Sequence, residues 1–230
     1  KQLNGTLNLK HTNIHILEKY LSTIFNNIQG NATGILNISG LAKDAKLTGN
    51  ILLNDATLTV NYTRCRYIFE NNSMLTFNND EIDFGKLKIR DTLNNTATGS
   101  GKLYHSFFTN FFFSELEFKT NNPGRFVLLN TTARDNKQFY GSVIGQAQLT
   151  LNGPENDMRM SITGEPTDSS HIYLPTGETA ESGKITYLEF IKFGREMQAD
   201  LSARQESNIK VDMELTANPF VKIDVILDET

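Results

Sequence analysis

Four histidines, at positions 11, 15, 105 and 171, are the side chains best suited to metal binding or acid–base chemistry. His11 and His15 have the four-residue spacing that places two imidazoles on one face of a helix, as in zinc sites. No Asp or Glu lies between them, and His11 precedes the start of the helix predicted below. The pair therefore favours two ordinary histidines over a metal site.

His105 and Ser106, taken together with Asp91, contain the residue types of a hydrolytic triad. However, no serine of the chain stands in a Gly-x-Ser-x-Gly sequence, the strand-to-helix turn that exposes such a nucleophile. We therefore predict that these three side chains have no chemical role.

Two further candidates for a metal or redox site are weak. Asp80-Glu81 with Asp83 lacks the alternating ligands and the closing glutamate of a calcium loop, so a solvated turn is favoured. The single cysteine, Cys65, excludes an internal disulfide and a thiolate metal cage, and is typical of a small core residue. With no glycine-rich phosphate-binding loop either, the sequence predicts a protein that is not an enzyme and has no cofactor or metal.

Charge and hydropathy narrow the class of partner. The chain has 22 Lys plus Arg against 26 Asp plus Glu, so it lacks the basic excess that binding a phosphate backbone requires, and we predict no nucleic acid partner. No segment resembles a signal peptide, and no apolar run reaches the roughly 20 residues of a membrane helix. Strand-like alternation at both ends predicts a segment of a longer protein.

The elements that would position any site are mainly β-strands. Apolar residues recur at every second position over most of the chain, which is the period of a strand with one buried face. Asparagine-rich pairs separate these runs and predict the turns of a meander. The predicted turns are Asn54-Asp55, Asn71-Asn72, Asn78-Asn79-Asp80 and Asn94-Asn95. A hairpin is predicted around Gly153-Pro154.

Few segments have a helical period. An amphipathic helix is predicted at about 14–28, capped by Thr12 or Asn13 and packed on a sheet edge. A second short helix is predicted from Tyr187 to Met197. Between them, the Pro, Thr, Ser and Gly content of 165–183 predicts a mobile loop and a possible subdomain joint within a single elongated domain, 1–230.

Five phenylalanines crowd the seven positions from 107 to 113 and must occupy both faces of any strand there. One interpretation is a strand sandwiched between the sheet and the amphipathic helix. The other is that one row lines an interior groove that no protein layer covers, since large exposed apolar surface generally marks an interaction site. A groove of this kind would be lined by the inward rows of several strands. The residues that we predict to line it are Leu58, Val60, Phe77, Phe84, Phe111, Phe113, Leu149, Leu151, Met158, Met160 and Ile162.

The order of motifs resembles the C-terminal region of the TamB family, the translocation and assembly module proteins of bacterial envelopes, in the form typical of Bacteroidetes. The resemblance covers most of the chain. It is carried by Gly49-Asn50-Ile51-Leu52-Leu53-Asn54-Asp55-Ala56, Ile89-Arg90-Asp91, Val127-Leu128-Leu129-Asn130-Thr131, Phe139-Tyr140-Gly141, Leu151-Asn152-Gly153-Pro154 and Tyr187-Leu188-Glu189-Phe190-Ile191.

The resemblance implies an all-β fold: an elongated, curled sheet, or β-taco, that forms an open β-groove with an apolar interior and one or two short helices. It also implies a periplasmic scaffold, anchored in the inner membrane by a segment absent here. Such a scaffold would conduct phospholipid acyl chains between the membranes, assist assembly of outer-membrane β-barrels, or do both, with an Omp85-class barrel as partner. The resemblance implies no catalytic residues, because the TamB family has none that could be assigned to positions of this chain.

Two alternatives remain open at the level of sequence. One is a polysaccharide-binding or polysaccharide-active β-solenoid, because asparagine-rich solenoids often bind glycans. The absence of Trp and the apolar character of the alternating face count against it. The other is an adhesin-like structural module, which would share the fold class but have a core filled by its own side chains.

Overall fold

In a computed structural model, the described part of this alternating sequence folds into one curled β-sheet of fifteen strands. The structure describes residues 2–22, 24–42, 44–106, 109–121, 125–135, 139–154, 156–167, 169–176, 188–189, 208–216, 218–219 and 221–227. The prediction of an all-β, elongated and curled sheet is confirmed.

The strands follow one another with short connections over the first 176 residues. Those of the first half are β1 (Gln2–Asn13), β2 (Phe25–Leu41), β3 (Asp44–Val60), β4 (Arg66–Phe69), β5 (Ser73–Asn79), β6 (Glu81–Arg90) and β7 (Thr96–Tyr104). Those of the second half are β8 (Phe112–Thr120), β9 (Phe126–Thr131), β10 (Tyr140–Pro154), β11 (Asp157–Pro166), β12 (His171–Thr176), β13 (Leu188–Glu189), β14 (Asn208–Leu215) and β15 (Lys222–Leu227).

The sheet follows the chain order with few exceptions. Its main path is β1-β2-β3-β4-β6-β7-β8-β10-β11-β14-β13, and the pairs are antiparallel except β11 with β14 and β12 with β15. Long strands pair with two short ones placed end to end. Strand β3 pairs with β4 and β5, and β10 pairs with β8 and β9 on one side. Each long strand, and each pair of short strands beside it, therefore spans a sheet that is wide enough to bend.

The predicted helix at 14–28 is wrong in its second half. A 3₁₀ turn spans Ile14–Leu17 and a short helix, α1, spans Glu18–Leu21, after which the chain enters β2. The Asn13 side chain caps the start by accepting the backbone N–H of His15 at 2.8 Å. Ile24 and Ile28 are both buried, and their spacing of four fits a strand as well as a helix. Backbone pairing with β3 makes the segment that starts at Phe25 a strand rather than a helix.

Three other predicted elements differ from the structure or lie partly outside its described residues. Asn54-Asp55 is not a turn but lies inside the continuous strand β3, whereas the other three asparagine-rich turns separate strands as predicted. The predicted loop at 165–183 contains strand β12, and the joint remains a prediction. The predicted helix from Tyr187 to Met197 lies outside the described residues except for Leu188–Glu189, which form β13.

A column of bulges crosses neighbouring strands and bends the sheet. His11 in β1, Gly30 in β2 and Asp55 in β3 all have positive φ, and the β1–β2 and β2–β3 registers shift beside them. Gly30 cannot be replaced without strain, because an added Cβ would lie 2.7 Å from the Cα of Ala56. The Asn71 side chain accepts the Asp55 N–H at 2.8 Å and holds the bulge to the next row. Bulges bend strands and increase their twist, so the sheet bends along this column of bulges.

The column continues across the second half of the sheet. Registers shift between β6 and β7 beside Gly85, and between β7 and β8 beside Gly101. Glu115 in β8 has φ 50°, and its N–H donates to the Asn152 side chain at 2.7 Å where the β8–β10 register shifts. The bend therefore runs from β1 to β10.

The sheet curls far enough to bring distant strands together. Strands β4 and β8 are separated by β6 and β7, so a flat sheet would hold them about 14 Å apart. The ring centroids of Tyr67 in β4 and Phe118 in β8 are only 6.0 Å apart. The inner face is consequently a concave, apolar interior.

Candidate functional site: the apolar interior of the curled sheet

Alternation along each strand puts one continuous set of apolar side chains on the inner face. Nineteen buried residues from Ile14 to Met158 form a single cluster. Half-buried apolar side chains pack against it, among them Phe25, Tyr67, Phe84, Leu116 and Phe118. The largest described apolar feature of the molecule is thus an interior surface.

Ten of the eleven predicted groove residues belong to this interior. The buried ones are Phe77, Phe111, Phe113, Leu151 and Met158, and the half-buried ones are Leu58, Phe84, Leu149, Met160 and Ile162. Val60 is half-buried but does not belong to the cluster. The structure therefore brings these positions together as a surface, and their contact with lipid stays a prediction.

One cross-strand row of this surface is closely packed. It runs through successive register partners on seven strands: Leu7, Leu36, Gly49, Phe77, Ile82, Leu103 and Phe113. Exposure is 3% at Phe113 and 5% at both Leu103 and Leu36, but 45% at Leu7 on the edge strand. The apolar row is thus covered in the middle of the sheet and open at the β1 edge.

A second row is less covered. Phe118, Leu149 and Ile162 are register partners on β8, β10 and β11, and all three are half-buried. The neighbouring row has the half-buried Leu116 and Met160 on either side of the buried Leu151. Away from the β1 edge, the inner face is therefore partly accessible where these three strands cross it.

The five-phenylalanine segment divides between the two faces, as its sequence requires. Phe111 and Phe113 are buried in the interior, whereas Phe112 is 44% exposed on the opposite face. Phe107 and Phe108 lie outside the described residues. Helix α1 packs on β2, so the first interpretation, a β8 strand covered by this helix, is not what the described contacts favour.

On one side the interior is closed by what we call the seam, the contacts between residues 125–135 and residues 61–67. The backbone N–H of Asn130 in β9 donates to the carbonyl oxygen of Thr63 at 2.8 Å. Next to it, Arg64 Nε donates to Asp135 Oδ1 at 3.0 Å. The Tyr67 hydroxyl donates to the carbonyl oxygen of Val127 at 3.1 Å. The seam joins the turn after β3 to β9 and completes a loop of strands.

Aromatic rings fill the interior behind the seam. The Phe126 ring is fully buried, with its centroid 5.2 Å from that of Tyr67 and 5.4 Å from that of Phe118. Burial raises the pKa of Tyr67 well above its usual range, so its hydroxyl stays protonated as a hydrogen-bond donor. Cys65 is buried beside this tyrosine, and burial raises the pKa of its thiol to about 11. These groups are packing residues rather than reactive ones.

Asp91 is a fully buried carboxylate that holds the β6–β7 turn to β9. Its Oδ1 accepts the backbone N–H groups of Leu93 at 2.9 Å and Asn95 at 2.8 Å. Its Oδ2 accepts the Asn95 side-chain amide at 3.0 Å and the Val127 N–H at 2.9 Å. The Asn95 amide also donates to the carbonyl oxygen of Arg125 at 2.8 Å. Asp91 is therefore a structural anchor beside the seam.

The hydrolytic triad has no geometric basis. Asp91 and His105 flank the two ends of β7, whose nine residues separate them by roughly 30 Å. Burial lowers the pKa of His105, whose ring lies edge-on to Phe111 at 6.4 Å. This histidine belongs to the packed interior.

The histidine pair considered for zinc is also separated. His11 lies in the β1 bulge with its Nδ1 3.4 Å from Asn31 Oδ1, whereas His15 lies in the 3₁₀ turn with its Nδ1 3.2 Å from Glu18 Oε2. Within the described residues, no three His, Cys, Asp or Glu side chains are grouped as metal ligands.

Sequence reasoning missed the groups that close the interior. Tyr67, Phe118 and Phe126 are not among the residues that the sequence predicts to line the groove. Alternation marks Phe118 as an inward residue, since it follows Leu116 by two positions. No local pattern could have paired Tyr67 with Val127, which is 60 residues away in sequence.

Comparison with known proteins gives one match. The TamB C-terminal domain family model matches residues 85–230, which is more than half of the chain. No curated protein and no solved structure matches this chain. Among the described residues, no helix is both long and apolar enough to cross a membrane.

Proposed function

The chain belongs to the TamB family of non-enzymatic proteins that assemble the bacterial envelope, and from this premise we propose that its apolar interior binds phospholipid acyl chains. The lipid would lie along the inner face of the curled sheet, with its headgroup in water. The chain would thereby conduct phospholipid between the inner and outer membranes as part of a periplasmic scaffold.

The observation that carries this proposal is the half-buried row Phe118, Leu149 and Ile162. These three large apolar side chains are adjacent on three strands and lie on the concave face. An acyl chain laid on them would gain of order 0.8 kcal/mol for each CH2 group removed from water. Such binding requires no specific polar group, which agrees with an interior whose buried polar side chains serve the fold.

A matched pair of charge substitutions tests the proposal. Ile162→Arg places a cation on the inner face of β11, and Thr163→Arg places the same cation on the exposed outer face one residue later. Burying the first charge against lipid costs several kcal/mol, whereas the second remains in water. Native mass spectrometry of the protein purified from cells should find phospholipid on the parent and on Thr163→Arg, and much less on Ile162→Arg.

The folded state must be monitored alongside. All three proteins should give the same strand-rich circular dichroism spectrum, because a half-buried position can hydrate part of the new charge. Equal phospholipid on Ile162→Arg and Thr163→Arg, with folding intact, would exclude the inner face of β11 as the lipid site.

A second candidate function is a structural module with a core filled by protein. It is favoured by the closed side, where Tyr67, Phe118 and Phe126 leave their rings in mutual contact. The same mass spectrometry separates the two candidates, since a structural module should carry no phospholipid.

The partners come from the family alone. We propose that the full-length protein is anchored in the inner membrane and contacts an Omp85-class outer-membrane barrel, and that it assists assembly of outer-membrane proteins. Site-directed photocrosslinking in cells, with the photoreactive residue at the exposed Val225 of β15, tests the contact. A crosslink to the barrel is expected, and its absence from all β15 positions would remove this surface from the interaction.

A further inference from the structure

The seam differs from the other joints between strands of the curled sheet. Strand β9 forms an antiparallel ladder with β10, from Phe126 with Gly145 to Thr131 with Gly141, with one register shift between Val143 and Ile144. On its other side, the described sheet gives β9 no strand partner. There the backbone hydrogen bond from Asn130 to Thr63 is flanked by side-chain contacts.

Those flanking contacts are few, and one of them is partly solvated. The Arg64 and Asp135 side chains are 46% and 24% exposed, so their ion pair is partly solvated and screened by salt. The Tyr67 hydroxyl makes a single hydrogen bond to a carbonyl oxygen of β9. A ladder of backbone bonds has to break cooperatively, whereas these contacts can separate while β9 stays paired with β10.

Movement at the seam would uncover the interior. Phe126 is carried by β9, and its buried ring contacts Tyr67 on one side of the seam and Phe118 in the half-buried row. Displacing β9 from the 61–67 turn would withdraw this ring from between them. The apolar surface then exposed would be continuous with the row of Phe118, Leu149 and Ile162.

We propose that the seam is a lateral gate, at which β9 separates from the turn after β3 to admit an acyl chain to the interior. This inference rests on the proposed lipid-binding function and adds the entry route. The Val127 N–H also donates to the buried Asp91, so this hydrogen bond has to break when β9 carries Phe126 out of the interior. The Asn130 end carries the backbone bond and the partly exposed ion pair, and is the side that opens.

A reversible disulfide tests the gate. Thr63 and Asn130 are joined by a backbone hydrogen bond, which brings their Cα atoms to the separation that a disulfide can span. Thr63→Cys with Asn130→Cys, in a Cys65→Ala background, should lock the seam when oxidised. A control lock, Thr6→Cys with Asn37→Cys, bridges an exposed register pair of β1 and β2 in the same background.

The assay measures lipid loading into the whole 230-residue chain. Vesicles of phosphatidylethanolamine and phosphatidylglycerol carry a self-quenched fluorescent phosphatidylethanolamine, and transfer to the protein raises its emission. The oxidised seam lock should load lipid about tenfold more slowly than its reduced form, or slower still, because opening of the seam becomes the rate-limiting step. Adding reductant should restore the rate, and the control lock should load equally in both forms.

The two proposals fail in distinguishable ways. Equal loading of the oxidised and reduced seam lock overturns the gate and leaves lipid binding intact. No loading by the reduced lock, the control lock and the parent overturns lipid binding, and the gate with it.

Tyr67→Phe provides a second measurement that does not depend on a disulfide. It removes the hydrogen bond to Val127 across the seam but keeps the aromatic ring in the interior. Loading should become faster, with an unchanged circular dichroism spectrum. A slower or unchanged rate in this folded variant contradicts a gate at the seam.

Discussion

The buried carboxylate of Asp91 offers the sharpest test of how the fold is held together. Its two oxygens accept four hydrogen bonds, from Leu93 N, Asn95 N, the Asn95 side-chain amide and Val127 N, at 2.8–3.0 Å. Asp91→Ala leaves all four donors without this acceptor. At about 1 kcal/mol net for each bond, the expected loss in the free energy of unfolding is about 4 kcal/mol.

Asp91→Asn has the same shape and should rescue little. Each oxygen of Asp91 faces two donors, so one of these sites becomes an amide NH2 that meets N–H groups rather than acceptors. Two bonds are lost and two like dipoles are placed in contact. We expect this variant to lose about 3 kcal/mol, close to the alanine variant.

Urea unfolding followed by circular dichroism and tyrosine fluorescence measures both losses, since the chain has seven tyrosines and no tryptophan. Asp157→Asn is the matched control. Asp157 is 54% exposed in its ion pair with Lys210, so its replacement should cost less than about 1 kcal/mol. If Asp91→Asn were as stable as the control, the carboxylate would not be the anchor that its geometry indicates.

Three further predictions concern the bend, the pH dependence and the open edge. Gly101→Ala should lower the free energy of unfolding measured in urea by about 2–4 kcal/mol, because Gly101 has φ 134° and an added Cβ would lie 2.6 Å from the Leu116 Cα. The control Gly5→Ala, with open space around it, should change that free energy by less than about 0.5 kcal/mol. Burial lowers the pKa of His105, so the imidazole binds a proton more readily in the unfolded chain than in the folded one. The stability contributed by the neutral His105 should be fully present above a pH of about 6.5 and fall below it. In urea titrations, His105→Phe should flatten this pH dependence. Strand β15 pairs within the described sheet only with β12 and exposes 57% of Val225, so sedimentation should show concentration-dependent self-association that Val225→Lys reduces, and a monomer at every concentration would contradict it.

The inner face was predictable from sequence because strand periodicity decides it locally. A residue of an alternating run lies on the same face as its neighbours two positions away, whatever the rest of the chain does. Leu149 and Leu151, or Met158 and Met160, therefore belong together before any partner strand is known. The degree of burial was not predictable in this way, since Leu151 is buried and Leu149 only half-buried according to the cover that other strands provide.

The bends and the helix show where local patterns were ambiguous. Asn54-Asp55 favours positive φ, and this is needed both by a turn and by a bulge within a strand. Ile24 and Ile28 fit a helix and a strand equally. In both places the choice was made by pairing with a neighbouring strand, which a short sequence window does not contain.

The covered and half-covered parts of the interior have different energetic consequences for a ligand. Around Leu103 and Phe113, exposure of 5% and 3% means that protein atoms already remove the apolar surface from water, so an acyl chain there would have to displace them and lose their packing. Along Phe118, Leu149 and Ile162, part of the surface remains hydrated, and an acyl chain gains its transfer free energy without that cost. Phe126 stands between these conditions: its ring is fully buried, yet apart from its ladder with β10 the strand that carries it is held by only a few hydrogen bonds. A lipid that replaces this ring against Tyr67 and Phe118 exchanges one apolar contact for another and so offsets part of the cost of opening the seam, and the equilibrium can be shifted in either direction by the lipid concentration.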